Sequence, residues 1–251
     1  FNSPDLLQIS DNGHGIHIQA GRSGAPSPSG TIIQGNYVGL DPLGSVAHGF
    51  AMGILTSGPG TVIGGTTAGA RNVVAGNGTH NILVDISGAT IQGNYIGINA
   101  AGTAALGSTA VGVFVKAPNT VVGGTTPEAR NVISGNVNGL VLSGSSDVTV
   151  TNVTVHGNYI GTDASGLTAV PNTVNGVVVN APGFTVGGTG AGMGNLISGN
   201  ALGVYLSQSV WGAVTGVSIL GNRIGVNAAG NPLGNTTHGL RVDNGVSGAV
   251  I

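Results

Sequence analysis

Residues 157–166 read GNYIGTDASG, and the first five of them recur as GNYVG from Gly35, GNYIG from Gly93 and GNRIG from Gly221. The starts are 58, 64 and 64 residues apart. A second phrase alternates with the first: TVIGGTTAGARNVVAGN from Thr61, TVVGGTTPEARNVISGN from Thr120 and TVGGTGAGMGNLISGN from Thr185. Between the phrases stand eight extended tetrapeptides, among them GIHI from Gly15, GILT from Gly53, GVFV from Gly112 and GVYL from Gly203. Their starts lie 27 to 38 residues apart, short and long spacings alternating, so one repeat of 64 residues holds two turns of chain. Self-similarity at a fixed period is the mark of a stacked repeat architecture.

The apolar runs are short, rich in Val and Ile, and bounded by Gly, Asn, Pro, Asp or Ser, which is the pattern of strands and turns. Val113 and Val115 fall on one face of such a run, as do Val204 and Leu206. Gly at this frequency argues against helices, and without a strict period of three it is not collagen. A turn of about thirty residues cannot bury its own apolar face, but copies stacked on one another can. The expected fold is therefore all-β: a right-handed parallel β-helix of seven to eight coils, two per repeat, forming one domain over residues 1–251. The hand follows from the crossover rule for parallel strands.

Composition narrows the function. Gly supplies 49 of 251 residues, charged residues are 6%, and six Lys+Arg against eight Asp+Glu leave a net charge of −2. Six basic residues cannot build a phosphate-neutralising patch, so nucleic acid is not an expected partner. The absence of Cys removes disulfide scaffolds and Cys-ligated zinc. No apolar run of about 20 residues is present to span a membrane as a helix.

The recurring corner residues have local explanations. Asn tolerates left-handed backbone and bonds nearby backbone groups. Asn36, Asn94, Asn158 and Asn222 are expected to stack as one ladder and Asn77, Asn136 and Asn200 as another, with Asn136 the neighbour that bridges to Asn158. Asp41, Asn99, Asp163 and Asn227 hold one position in the inserts that follow each G-N-[YR]-[IV]-G phrase, each three residues before Gly. An Asx-turn accounts for that pattern, and the four inserts should form one lateral ridge. Tyr37, Tyr95 and Tyr159 form an equivalent series, broken by Arg223, and are expected inward or half-buried.

The phrases GNYIGTDASG, NGVVVNAPGFTVGGTGAGMGNLISGN and ALGVYL resemble the Gly/Asn-rich parallel β-helix repeats of bacterial secreted and surface proteins, within the broad pectate-lyase-like class. The resemblance covers about residues 13–242. It implies extracellular or bacterial cell-surface display; the class holds polysaccharide lyases and hydrolases as well as adhesin stalks, so it does not select a chemistry.

Catalytic constellations do not assemble in the sequence. Lys116 is the one lysine and Glu128 the one glutamate; the coil neighbours of Lys116 read as Thr56, Ser57 or Asn180, none acidic. Asp85 and Asp243 end equivalent strands several coils apart, Asp147 reads as part of an exposed turn, and His14 and His17 are expected on opposite faces of one strand. No metal site, cofactor or catalytic residue is assigned. The expected function is a noncatalytic structural or adhesive rod. Arg71, Arg130, Asp163 and Trp211 are its candidate contacts to a polysaccharide or a cell-surface partner. The alternatives are a polysaccharide lyase or glycoside hydrolase in a lateral groove, and an ice- or crystal-surface binder. Neither end shows a capping helix, and an uncovered β edge recruits other chains; the chain is expected to be a segment of a longer repeat protein or to stack end to end.

Overall fold

A computed structural model describes residues 13–19, 27–85, 88–107, 111–144, 150–208 and 213–251. Each Gly- and Asn-bounded apolar run becomes a strand, and three strands make a coil. Sheet 1 stacks His14–Ile18, Met52–Thr56, His80–Val84, Val111–Val115, Asn138–Ser143, Asn175–Asn180, Leu202–Leu206 and His238–Val242. Sheet 2 runs from Ile32–Ile33 to Ser218–Leu220 in seven strands, and sheet 3 from Tyr37–Val38 to Arg223–Ile224 in seven. All pairing within the sheets is parallel between successive coils. The molecule is a parallel β-helix of seven coils and part of an eighth, the last carrying His238–Val242 and a short strand Val246–Ser247 paired with Val214–Thr215. Seven strand spacings of about 4.8 Å give a rod roughly 34 Å long.

The register is what lets so few residue types make a core. Ile54, Ile82, Val113, Leu140, Val177 and Val204 stand directly above one another, all with no exposed surface. Val74, Ile96, Ile133, Ile160 and Ile197 form the matching column of sheet 3. Each such side chain contributes about 1.5–3 kcal/mol by leaving water.

The pentapeptide that sets the repeat can now be taken apart. In 157–161, Gly157 sits at φ +66° and Gly161 at φ +91°, left-handed backbone that any side chain would strain. A Cβ on Gly161 would also stand 2.3 Å from the Ser198 carbonyl of the next coil. Asn158 is buried at the corner, Tyr159 lies half-buried on the outer face, and Ile160 fills the core. Five residues thus bend the chain, bond the coils and supply the core.

Two amide ladders run along the rod. Asn36, Asn72, Asn94, Asn131, Asn158, Asn195 and Asn222 occupy successive coils ahead of sheet 3. Each donates its backbone N–H and a side-chain N–H to the Oδ1 of the next: Asn131 to Asn158 at 3.2 and 2.9 Å, and Asn158 to Asn195 at 2.9 and 3.0 Å. The neighbours of Asn158 are therefore Asn131 and Asn195, not Asn136. Asn136 belongs to the second ladder, between sheets 3 and 1, which continues through Asn172 and Asn200 to Asn235. The sequence pattern gives only alternate rungs: it lacks Asn72, Asn131 and Asn195 of the first ladder and Asn172 and Asn235 of the second.

One rung of the second ladder is improvised. Strands of sheet 1 carry Gly at their second position, except His80–Val84, which has Asn81. Asn81 accepts from Asn77 and donates to Asn136, both at 2.8 Å, spanning the two rungs with its own side chain. Elsewhere that column must be Gly: a Cβ on Gly139 would meet the Gly176 carbonyl at 2.6 Å and the Asn172 amide at 2.7 Å.

Two local expectations change. In the sheet 1 strands the register pairs skip the glycine, and in Met52–Thr56 and Val111–Val115 the second and third residues are both buried while the first and fourth are half-buried. His14 and His17 consequently share a face, with rings stacked 5.1 Å apart. Asn180 ends a sheet 1 strand, opposite Ser143. Single 3₁₀ turns, Ala68–Ala70 and Pro127–Ala129, follow two of the GG pairs where no helix was expected.

Candidate binding face

Sheet 3 carries the inserts on its outer side. Each insert closes as a small hairpin through one antiparallel bridge: Leu40 with Ala47, Ile98 with Ala105, Thr162 with Ala169, and Val226 with Pro232. The inserts recur every second coil, about 10 Å apart, yet they touch. Ala100 N–H donates to the Gly44 carbonyl at 2.9 Å, and Ala164 and Ala228 donate to Gly102 and Gly166 at 2.8 Å. A continuous lateral ridge results.

Asp163 is the organiser of its own hairpin. One carboxylate oxygen accepts from the N–H groups of Leu167 and Thr168 at 3.0 and 3.1 Å, and Ser165 Oγ donates to both oxygens at 2.9 and 2.7 Å. Asn99 and Asn227 make the equivalent bonds with an amide oxygen. In Asp41 the Val46 N–H, followed by further donors from Ser45 and Leu43, holds the carboxyl below its ordinary range. This is the Asx-turn geometry.

Arg71 and Arg130 lie beside the ridge. Arg71 donates Nε–H to the Gly93 carbonyl at 3.1 Å, with its guanidinium carbon 4.1 Å from the Tyr95 ring centre. Arg130 repeats this with Gly157 at 3.2 Å and Tyr159 at 3.9 Å. Ring and guanidinium attract each other through the ring quadrupole, and with the bond made through Nε the two Nη groups of each arginine have no hydrogen bond among the described residues. Arg223, at the fourth tyrosine position, folds over its own insert and donates to the Asn227 and Ala228 carbonyls at 2.7 and 3.1 Å. Among the described residues no arginine lies over Tyr37, which lines a hollow of about 150 Å3 with Arg71, Ala68 and Ala100. The pairing was readable once the ladder is known: Arg71 precedes Asn72, Tyr95 follows Asn94, and those two asparagines are neighbours.

Elsewhere the structure joins residues the sequence kept apart. Lys116 meets Asp85 at 2.6 Å, because the strands ending in Val115 and Val84 are in register on adjacent coils. Lys116 therefore has an acidic coil neighbour after all. Asp243 accepts from Arg241 at 2.9 Å and from the Tyr205 hydroxyl; the Tyr205 bond, then Arg241, holds its carboxyl below the usual range. These three border a hollow of about 470 Å3 with Ser207 and Gln208. Trp211 and Asp147 lie outside the described residues. No helix among the described residues is long and apolar enough to cross a membrane. The chain matches no family model, no curated protein and no solved structure.

Proposed function

We propose that this chain is a noncatalytic structural or adhesive rod of the extracellular space or the bacterial cell surface, and that it contacts acidic carbohydrate along the ridge of sheet 3. One observation carries the reading. Among the described residues every charged side chain except Glu128 is engaged by the chain's own groups: Arg71, Arg130 and Arg223 on carbonyls, Lys116 on Asp85, Arg241 on Asp243, and Asp41 and Asp163 in their turns. Asp41 and Asp163 lie in inserts after sheet 3, four coils apart, Asp85 and Asp243 follow sheet 1 strands five coils apart, and Glu128 lies in the 3₁₀ turn after sheet 2. Among these no carboxylate stands above another at one corner on neighbouring coils, whereas glycoside hydrolysis needs two within about 5–9.5 Å. What remains outward is a repeated pair of tyrosine ring and guanidinium, whose Nη groups suit a carboxylate and whose neighbouring Tyr37 ring suits a sugar face.

The test is a panel of uronate-bearing and neutral polysaccharides, scored both for binding and for release of reducing or unsaturated ends. The expected result is binding to the acidic members, weakened by salt and by combined Arg71→Ala and Arg130→Ala, with no new ends. Cleavage abolished by Lys116→Ala or Glu128→Ala would replace this reading with the lyase or hydrolase one. For a crystal-surface role the supporting feature is one outward file on sheet 2: Val62, Thr90, Val121, Thr154, Thr185 and Ser218. It is a single line and not a plane, which ranks that role lower; thermal hysteresis measures it.

A further inference from the structure

Arg71 and Arg130 are held alike. Each gives its Nε–H to a glycine carbonyl of the next coil and lies on that coil's tyrosine, Gly93 with Tyr95 and Gly157 with Tyr159. A guanidinium fixed by a ring and by one of its own donors gives up little freedom when a carboxylate takes its other edge. The amide ladder sets the distance between the two. Arg71 precedes Asn72, Arg130 precedes Asn131, and Asn94 is the rung between them. The two guanidinium groups therefore stand two strand spacings apart, about 10 Å, in a line along the rod. The coil between them has Gly93 at the arginine's place and offers no charge there. The row ends after these two. Gly194 precedes the rung Asn195, and a Cβ on it would run into the Gly221 carbonyl, so the third copy cannot carry the side chain.

We propose that this pair reads the spacing of carboxylates along an extended sugar chain. The chain lies parallel to the rod beside the insert ridge, with the carboxylate of one sugar on Arg71 and that of the next but one on Arg130. The inference rests on the acidic-carbohydrate reading above and narrows it. A β-(1,4)-linked pyranose lengthens a chain by about one strand spacing, about 5 Å, and in a flat ribbon each sugar is turned over relative to the last. Carboxylates on one face then recur on every second sugar, at the separation of the two arginines. Each carboxylate meets the two Nη groups of its arginine as a fork. The middle sugar turns its own substituent away and is not read. A chain of consecutive uronates and a chain alternating uronate with a neutral sugar both meet this rule; a chain wound with three sugars per turn does not. With two clamps and no third, affinity rises once, when the chain reaches three sugars.

Calorimetric titration of the 251-residue chain with β-(1,4)-linked glucuronate oligomers of one to five sugars tests it. The expected result is weak binding of the one- and two-sugar members, binding at least about tenfold tighter at three sugars, and little further gain. Two trisaccharides of equal charge, each with one carboxyl reduced to the alcohol, separate spacing from charge. The centre-reduced one should bind like the parent, and the end-reduced one should fall back to the disaccharide. Arg71→Ala or Arg130→Ala alone should remove the step at three sugars and keep the weaker single-clamp binding, with the circular dichroism unchanged. Arg71→Gln, which keeps a side-chain stem and loses the charge, serves in place of an alanine variant that fails to fold. Absence of binding to every oligomer and to the acidic polymers overturns both this rule and the broader reading. Affinity that climbs evenly with length, a step at four sugars, or equal binding of the two reduced trisaccharides overturns the spacing rule alone and leaves the acidic-carbohydrate reading in place.

Discussion

Asn158, which has no exposed surface, donates to Asn195, to the Val122 carbonyl and to the His156 carbonyl, and accepts twice from Asn131. Removing it leaves several buried groups unpaired, each a loss of about 1–3 kcal/mol. Asn158→Ala should therefore lower stability by at least that amount in denaturant unfolding. Asn180→Ala is the contrast. Asn180 Oδ1 is buried with no hydrogen-bond partner, so its removal should be neutral or slightly stabilising. Equal losses at the two sites would show that the ladder is not what joins the coils. Asn81→Gly restores the residue type of the column but removes the amide that spans Asn77 and Asn136. It should destabilise by about 1–3 kcal/mol although it makes the repeat more regular.

At the scale of the element, the insert hairpin distinguishes a turn from a ligand site. Asn99 and Asn227 show that an amide oxygen organises the hairpin as well as a carboxylate does. Asp163→Asn should then leave thermal stability and carbohydrate binding nearly unchanged, while Asp163→Ala loses about 1 kcal/mol through the unpaired turn amides. Loss of binding in Asp163→Asn alone would assign the carboxylate a contact of its own. The arginine–tyrosine pair is likewise an element-level device, joining an even coil to the following odd one. Arg130→Lys keeps the charge but lacks the planar fork that lies on Tyr159 and reaches Gly157 together. Its unfolding midpoint should fall below the parent's and its affinity for acidic polysaccharide should weaken.

The whole molecule contains a pH dependence built from two histidines. Burial, and secondarily the Lys116 charge, holds the His80 imidazole below its ordinary 6.5. Burial does the same at His156, opposed by a bond to the Gly187 backbone. Both pKa values are lower in the folded chain, so below about pH 6.5 the unfolded chain binds more protons. Stability is then complete above that pH and declines as the solution is acidified. The denaturation midpoint should fall between pH 7.5 and pH 5, and His80→Met, which copies its register partner Met52, should flatten the fall. A midpoint that rises on acidification would contradict this assignment.

The coil count, the all-parallel pairing and the membership of alternate ladder rungs were legible in the sequence, because stacking forces like residues onto like positions and so writes the fold as a period. Asn72, Asn131 and Asn195 were on view as letters, yet their place beside Asn94, Asn158 and Asn222 depends on how two coils of unequal length are aligned in space. The same holds for Lys116 and Asp85, which are 31 residues apart in the chain and adjacent only through the register of their strands. The face shared by His14 and His17 goes with a register that skips Gly15, which period-two counting does not contain. Period is a property of one chain read along its length; contact across the rod is set by how many residues each corner takes up, and that is settled only when the coils close against one another.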